Sequence, residues 1–348
     1  MTLDPFANGS LTDVDGLLVG HHQRRGRGWQ TGTTVISAPD GVVTGVDVRG
    51  GGPGTRETDA LDPRNLVDRV HAICLTGGSA YGLSAADGVM AELEQRRLGV
   101  PVGPEPEHVV PVVPTAVIFD LGRGGRFGNR PGPEFGARAL RSARRSARRG
   151  SVGAGTGARA GGLQGGVGMA STTVTFDDVE VTVAALAVVN ASGAVIDPVT
   201  GAPWSPVRAL RRPPAAERAA LRDYLQAAMT PPPLNTTIGV VATSVALTRP
   251  EAGRLAQSAH DGLARAIRPA HALVDGDTIF GLSTGRHTLT TDTAGTMRSA
   301  GSRVTRLNEL FAAAASVFET ACTDAVVTAS SVGSMPSYRD LCPGAWPG

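Results

Sequence analysis

Two periods organise the apolar positions of this chain. Residues 33–38 and 42–48 are dense in β-branched side chains and flank Pro39-Asp40-Gly41, which predicts a β-hairpin. Residues 71–76 (HAICLT) predict a short buried strand that runs through Gly77-Gly78-Ser79 into a helix from Tyr81 to about Arg97. Residues 109–121 form a second apolar stretch, broken by prolines. Residues 179–190 (VEVTVAALAVVN) predict one long strand followed by an Ala-Ser-Gly turn, and another strand runs from Thr236 to Leu247. The helical period is clearest in the last third. Leu255, Ala259, Leu263 and Ile267 recur every four residues over 250–267. Leu307, Leu310, Phe311, Ala314, Val317, Phe318 and Ala321 form the apolar face of a long helix over 307–328.

The intervening segments carry different signals. Residues 1–30 read as irregular, and 49–63 as a glycine-rich loop. Residues 136–149 predict an arginine-rich helix. Glycine is too frequent over 151–171 for one regular helix or strand throughout. Residues 205–233 are rich in Pro, Ala and Arg, end in Pro231-Pro232-Pro233, and predict a linker. Strands and helices alternate in mixed order, without an internal repeat. That predicts a layered α/β fold in which helices cover two stacked sheets, rather than a doubly wound parallel sheet.

Composition narrows the function. The 348 residues are 41% hydrophobic, enough for a sizeable core. No run of about 18 apolar residues is present, so no transmembrane helix is expected. The first residues carry acids early and lack a basic stretch followed by an apolar one, which argues against a secretory signal and for a cytoplasmic protein. A net charge of +2 gives no global reason to expect nucleic acid or a membrane as partner. All 33 basic residues are arginine, which closes every mechanism that needs a lysine amine. Cys74, Cys322 and Cys342 are odd in number and widely spaced, so neither a zinc site nor a disulfide framework is indicated, and no cofactor is expected.

The chemistry concentrates at residues 231–243, PPPLNTTIGVVAT. A threonine hydroxyl is a weak nucleophile until a base takes its proton, and an N-terminal threonine carries its own base, the α-amine. Thr236 becomes N-terminal if its hydroxyl attacks the Asn235 carbonyl and water cleaves the resulting ester. The plain alternative is that Asn-Thr-Thr merely begins a strand. Elsewhere, Asp275-Gly276-Asp277 reads as a turn, a loose cation ligand or a carboxylate pair, and Asn190 as part of the Ala-Ser-Gly turn. The arginines of 141–149 read as a solvated face or a subunit contact before a nucleic-acid patch. GAGTGA, at 153–158, lacks the helix continuation and the acid of a dinucleotide loop. Adjacent His21 and His22 suit a joint metal site poorly, and Cys74 lies in a buried strand.

Six segments in order resemble the DmpA-like aminopeptidase family (L-aminopeptidase/D-esterase), which includes the nylon-oligomer (6-aminohexanoate oligomer) hydrolases. They are GVDVRGGGPGTRETD at 45–59, AICLTGGSAYGL at 72–83, GSVGAGTGARAG at 150–161, VVNASGAVID at 188–197, NTTIGVVAT at 235–243 and DGDTIF at 275–280. The resemblance implies an N-terminal-nucleophile hydrolase with a four-layer αββα sandwich. It implies one domain over 1–348, cut between Asn235 and Thr236 into an α chain of 1–235 and a β chain of 236–348. It further implies a homo-oligomer, a tetramer of αβ protomers. Thr236 would be the nucleophile and Asn190 the donor to the oxyanion. Asp275 and Asp277 would be the acidic pair of the nylon-oligomer hydrolases, and Tyr81 a substrate contact.

One departure stands out. Nylon-oligomer hydrolases carry a catalytic lysine just after the GAG segment. Here the matching position falls between Gly162 and Gln164, and no lysine exists. Arg159 lies nearby but is not interchangeable with lysine. The sequence therefore predicts an autoprocessing threonine amide hydrolase acting on small peptides or linear amide oligomers. The alternatives are a dedicated 6-aminohexanoate-oligomer endohydrolase, an acyl transferase like the ornithine acetyltransferases, and an unprocessed relative without activity.

Overall fold

The structure, a computed structural model, describes residues 9–227, 235–289 and 302–347. Its principal strands are β1 (Leu18–Gly26), β2 (Trp29–Val48), β3 (Val70–Thr76), β4 (Thr115–Val117), β5 (Gly166–Phe176), β6 (Val179–Val189), β7 (Ile238–Val245) and β8 (Thr278–His287). Its principal helices are α1 (Ala85–Gln95), α2 (Pro133–Arg141), α3 (Ala215–Ala227), α4 (Arg249–Ala266) and α5 (Arg303–Val327).

β2 organises the architecture. Its first half pairs with β1 on one side and β3 on the other, and β3 continues in parallel to β4. Its second half pairs with β8, and the sheet continues through β7 and β6 to β5. One strand thus belongs to two sheets, which stack face to face. Three apolar clusters fill the gaps between four layers. Val35, Cys74, Val89, Leu93 and Leu140 lie between the first sheet and helices α1 and α2. Ile36, Ile73, Leu186, Val240 and Phe280 lie between the sheets. Val183, Val241, Leu255, Leu263 and Phe318 lie between the second sheet and helices α4 and α5.

The period-two rule is visible in β6. Val183, Ala185, Ala187 and Val189 face the helices, whereas Ala184, Leu186 and Val188 face the other sheet. A strand buried on both faces must be apolar throughout, which is why 183–189 carries no polar residue. The molecule is an αββα sandwich, as expected.

The structure corrects several local expectations. Pro39-Asp40-Gly41 does not reverse the chain. The register against β3 jumps from Ser37↔Ala72 to Val42↔Val70, so the extra residues bulge out and β2 bends from one sheet into the next. β1 lies in the segment read as irregular. Its His-His-Gln-Arg-Arg run has little β-propensity and is held by pairing with β2. The arginine-rich helix stops at Arg141, and Arg144 pairs with the start of β1 through a bridge to Val19. Within 205–233, residues 215–227 form α3, anchored by the buried Leu221. The triple proline lies outside the described residues. An 18-residue window of α5 has a mean hydropathy of 1.5, long and apolar enough to cross a bilayer, but 67% of that window is buried in the αββα packing.

Candidate active site

The Asn235–Thr236 bond lies where the chain enters β7, in the second sheet. Asn235 forms a parallel bridge with Asp275, and the Asn235 N–H donates to the Val274 carbonyl at 3.2 Å. Gly276 N–H donates to the Asn235 carbonyl at 3.1 Å, and the Thr236 hydroxyl donates to the same oxygen. The Thr236 N–H in turn donates to the Asn190 carbonyl at 2.5 Å. Asn235 and Thr236 are 1% and 5% exposed, so the bond is shielded from bulk water.

The Asp275-Gly276-Asp277 turn precedes β8, the parallel neighbour of β7, and so faces the start of that strand. Asp277 Oδ1 accepts the Thr237 N–H at 2.7 Å. Its Oδ2 accepts the His271 N–H at 3.2 Å and lies 2.8 Å from His271 Nδ1. Asp275 accepts the Ser192 hydroxyl at 2.9 Å and the Ala272 N–H at 3.2 Å. Burial pushes the Asp275 carboxyl above its ordinary range and the adjacent Asp277 charge adds to this, against the hydrogen bonds from Ser192. The glycine-rich loop after β2 clasps the turn from outside. Arg49 N–H donates to the Asp277 carbonyl at 2.9 Å and Gly52 N–H to the Asp275 carbonyl at 2.8 Å. That approach requires glycine: a Cβ on Gly276 would lie 2.5 Å from the Gly52 oxygen.

The opposite side is built from donors. Asn190, fully buried, ends the run of β6. Its Oδ1 accepts Arg123 Nη1–H at 2.5 Å and the Arg159 N–H at 3.0 Å. Two donors on one oxygen fix the amide orientation and leave Nδ2, which has no partner among the described residues, as a free donor. Arg123 also donates from Nη1 to the Gly157 carbonyl and from Nη2 to Asn235 Oδ1, the latter at 3.4 Å. The Arg123 pKa is lowered to about 10, chiefly by burial, with Asp120 opposing the shift and Arg159 adding to it. Asp120, itself raised to about 6 by burial, accepts the Gly78 N–H at 2.7 Å.

Four of the anticipated residues therefore meet. Thr236, Asn190, Asp275 and Asp277 surround one peptide bond. Tyr81 does not join them. It is 53% exposed, Arg130 stacks 3.6 Å above its ring, and no hydrogen bond links it to Asn235 or Thr236 among the described residues. At the vacant lysine position, Gly162 and Leu163 have no polar side chain. Gln164 is fully buried and turns its amide to the carbonyls of Gly155, Thr156, Ala158 and Gly165, at 3.0–3.3 Å. It braces the glycine-rich loop and makes no hydrogen bond to Thr236. Sequence reasoning missed Arg123, His271, Ser192 and the Gly276 N–H. Ser192 and Gly276 sat inside segments already singled out. Arg123, one of many arginines in a Gly-Arg-Gly-Gly-Arg loop, carried no signal.

The family model for peptidase family S58 matches residues 9–338. An uncharacterized aminopeptidase of Mycobacterium tuberculosis is 48% identical over 350 residues, covering 97% of this chain and 99% of that protein. A 6-aminohexanoate-oligomer endohydrolase of Kocuria sp. is 31% identical over 299 residues, covering 78% of this chain and 74% of that protein. Among solved structures, the L-aminopeptidase D-Ala-esterase/amidase of Ochrobactrum anthropi, described as a variant of the Ntn-hydrolase fold, superposes with a TM-score of 0.69. It is 21% identical, over 94% of this chain and 88% of that one.

Proposed function

Because this chain belongs to peptidase family S58 and has the Ntn-hydrolase fold, we propose that it is an autoprocessing N-terminal-threonine amide hydrolase. It would act as an aminopeptidase or linear amide-oligomer hydrolase through an acyl-enzyme on Thr236. One juxtaposition carries this reading: the Thr236 hydroxyl lies on the carbonyl of the residue before it, and the same oxygen takes the Gly276 N–H. The nucleophile and a polarising donor thus converge on a single buried peptide bond.

The chemistry runs in two stages. Thr236 Oγ adds to the Asn235 carbonyl carbon, the C–N bond breaks, and the hydroxyl proton passes to the departing nitrogen. The product is an ester of Asn235 on the Thr236 side chain. Water cleaves it, leaving an α chain of 1–235 and a β chain of 236–348 that begins with a free amine. That amine has an ordinary pKa of about 7.7–8.0 and takes the hydroxyl proton in each later turnover. The Asn190 amide, held by Arg123 and Arg159, offers Nδ2–H to the developing oxyanion, a role worth about 10²–10³ in rate for a single donor. Asp277 fixes the backbone next to the nucleophile through Thr237, and Asp275 fixes Ser192 next to Asn190.

The 48% relatives named aminopeptidases favour peptide substrates. The 31% relatives named oligomer endohydrolases, together with the acidic pair, support amide oligomers as a second reading. The test is intact mass under denaturing conditions with N-terminal sequencing. The reading expects fragments of about 24 and 12 kDa from the 35.6 kDa chain, the smaller beginning Thr-Thr-Ile-Gly. Thr236→Ala should stay whole and inactive. Splitting of that variant at the same bond would remove Thr236 as the nucleophile.

A further inference from the structure

The uncut chain reports on its own acyl subsite. If Thr236 is the nucleophile, as proposed above, the ester formed during maturation is chemically an acyl-enzyme whose acyl group ends in Asn235. The Asn235 side chain therefore occupies the place that the acyl residue of a substrate takes in every later turnover. What surrounds that side chain is a record of what the mature site accepts.

The surroundings are asymmetric. Asn235 is 1% exposed. Its Oδ1 faces Arg123 Nη2 at 3.4 Å, whereas its Nδ2 has no partner among the described residues. Among the described residues the pocket offers this side chain a donor and no acceptor, so an amide leaves one end unsatisfied. Arg123 is anchored independently of residue 235, because its Nη1 is committed to Gly157 and Asn190. Among the described residues, Asn235 Oδ1 is the acceptor for Nη2. Once the new C-terminal tail that ends at Asn235 withdraws, that nitrogen stands in a buried site without its acceptor. A side chain made only of acceptors, with a full negative charge, satisfies the guanidinium and strands nothing.

We propose that Arg123 is the specificity-determining residue of the acyl subsite, and that the preferred acyl group is an N-terminal residue bearing a carboxylate on Cγ, of the aspartyl type. The asparaginyl group comes second and an apolar group of equal size, such as leucyl, comes last. The ranking follows from hydrogen bonding rather than size, since Asn and Leu are close in volume. Sites with buried polar groups reject a ligand that cannot pair with them more strongly than they reject one of the wrong size.

The experiment has two arms. In the first, processed enzyme is assayed with para-nitroanilides of Asp, Asn, Ala and Leu, and Arg123→Gln is assayed with the same set. The expected result is a kcat/KM for Asp at least tenfold above that for Leu, falling to within threefold in the variant. The ratio is what counts, because Arg123 also holds Asn190 and its loss lowers all rates. A wild-type preference for Leu, or a ratio unchanged in Arg123→Gln, overturns the inference. The second arm needs no added substrate and covers a variant that fails to mature. Asn235→Asp should process at least as fast as the natural chain, and Asn235→Leu at least tenfold slower. Equal rates for Asn and Leu would overturn the subsite assignment while leaving Thr236 as the nucleophile. A natural chain that never splits and turns over no anilide overturns the reading of Thr236 and this inference with it.

Discussion

The two sides of the Asn235–Thr236 bond are built by opposite strategies. On the acidic side, one short segment supplies nearly everything. His271, Asp275, the Gly276 N–H and Asp277 fall within seven residues, and their contacts to Asn235, Thr237 and one another follow from a single turn. On the donor side, Arg123, Gly157, Arg159 and Asn190 come from separate loops and the end of β6, and meet because the layers bring them together. The acidic side holds the backbone next to Thr236, the proposed nucleophile. The donor side orients an amide whose Nδ2 is free. A local motif thus positions the start of β7, and a long-range assembly orients the Asn190 amide; in the proposed reaction the first places the nucleophile and the second meets the developing charge.

The largest test of that division falls on the acidic side. Asp277→Ala removes the acceptor for the Thr237 N–H and the partner of His271. The start of β7 then loses its anchor, and because misplacement by about 1 Å can cost about 10²-fold, processing and anilide hydrolysis should both fall by at least about 10²-fold. Gel analysis of the split and steady-state assays read both. Asp277→Asn, which keeps an oxygen for Thr237, should recover part of the loss. If Asp277→Ala processes normally, the acidic side is not what places the nucleophile.

Next comes the donor side. Asn190→Ala removes the free Nδ2–H and leaves two donors, on Arg123 and Arg159, without their acceptor. The expected loss is about 10²–10³ in kcat with a smaller change in KM, the mark of an interaction made in the transition state. A loss confined to KM would mean that Asn190 binds the substrate instead.

The same contrast explains what was legible in the sequence. Asp275-Gly276-Asp277 could be picked out because its chemistry and geometry lie in three consecutive residues. Asn190 stood out through its resemblance to a family motif. Arg123 could not be found, because its meaning depends on residues 67 and 112 positions away in the chain. The sheets show the same limit. β6 and β7 announce themselves by composition, since burial on both faces favours the apolar runs 183–189 and 238–242. β1 is polar enough to be missed and exists through its partner. The bend in β2 looked like a hairpin turn because Pro-Asp-Gly suits both, and only the second sheet decides between them.

Gln164 offers a smaller test, on the support of the donor side. Its Nε2 serves four carbonyls of the glycine-rich loop that carries Gly157 and Arg159. Gln164→Ala should destabilise the fold by about 3 kcal/mol, the upper end for stranding buried acceptors. The denaturant midpoint measures it. Gln164→Lys, which retains a donor, should cost less. An unchanged midpoint in Gln164→Ala would mean that the loop stands without its brace.

The smallest effect belongs to the acidic side and depends on pH. His260 is fully buried behind His271, with the two rings 5.0 Å apart, and its Nε2 lies 3.1 Å from the Asp47 carbonyl. Its pKa is lowered from 6.5 to about 4, chiefly by burial, with His271 and Arg49 acting in the same sense and the Asp47 carbonyl and carboxylate opposing them. The folded protein therefore keeps this ring neutral at pH values where the unfolded chain protonates it. The contribution is complete above about pH 6.5 and is lost as the pH falls towards about 4. Asp120 works in the opposite sense, since its raised pKa makes the folded state the better proton binder below about pH 6. The melting temperature of the wild type alone would mix the two. The difference between the wild type and His260→Gln isolates one of them. By pH 5 the wild type should have lost about 2 kcal/mol of its advantage over the variant relative to pH 7.5, that is, about 1.5 pH units of linkage at 1.36 kcal/mol each. A gap that stays constant between these pH values would mean that the folded and unfolded chains bind this proton equally, so that burial behind His271 does not keep the ring neutral.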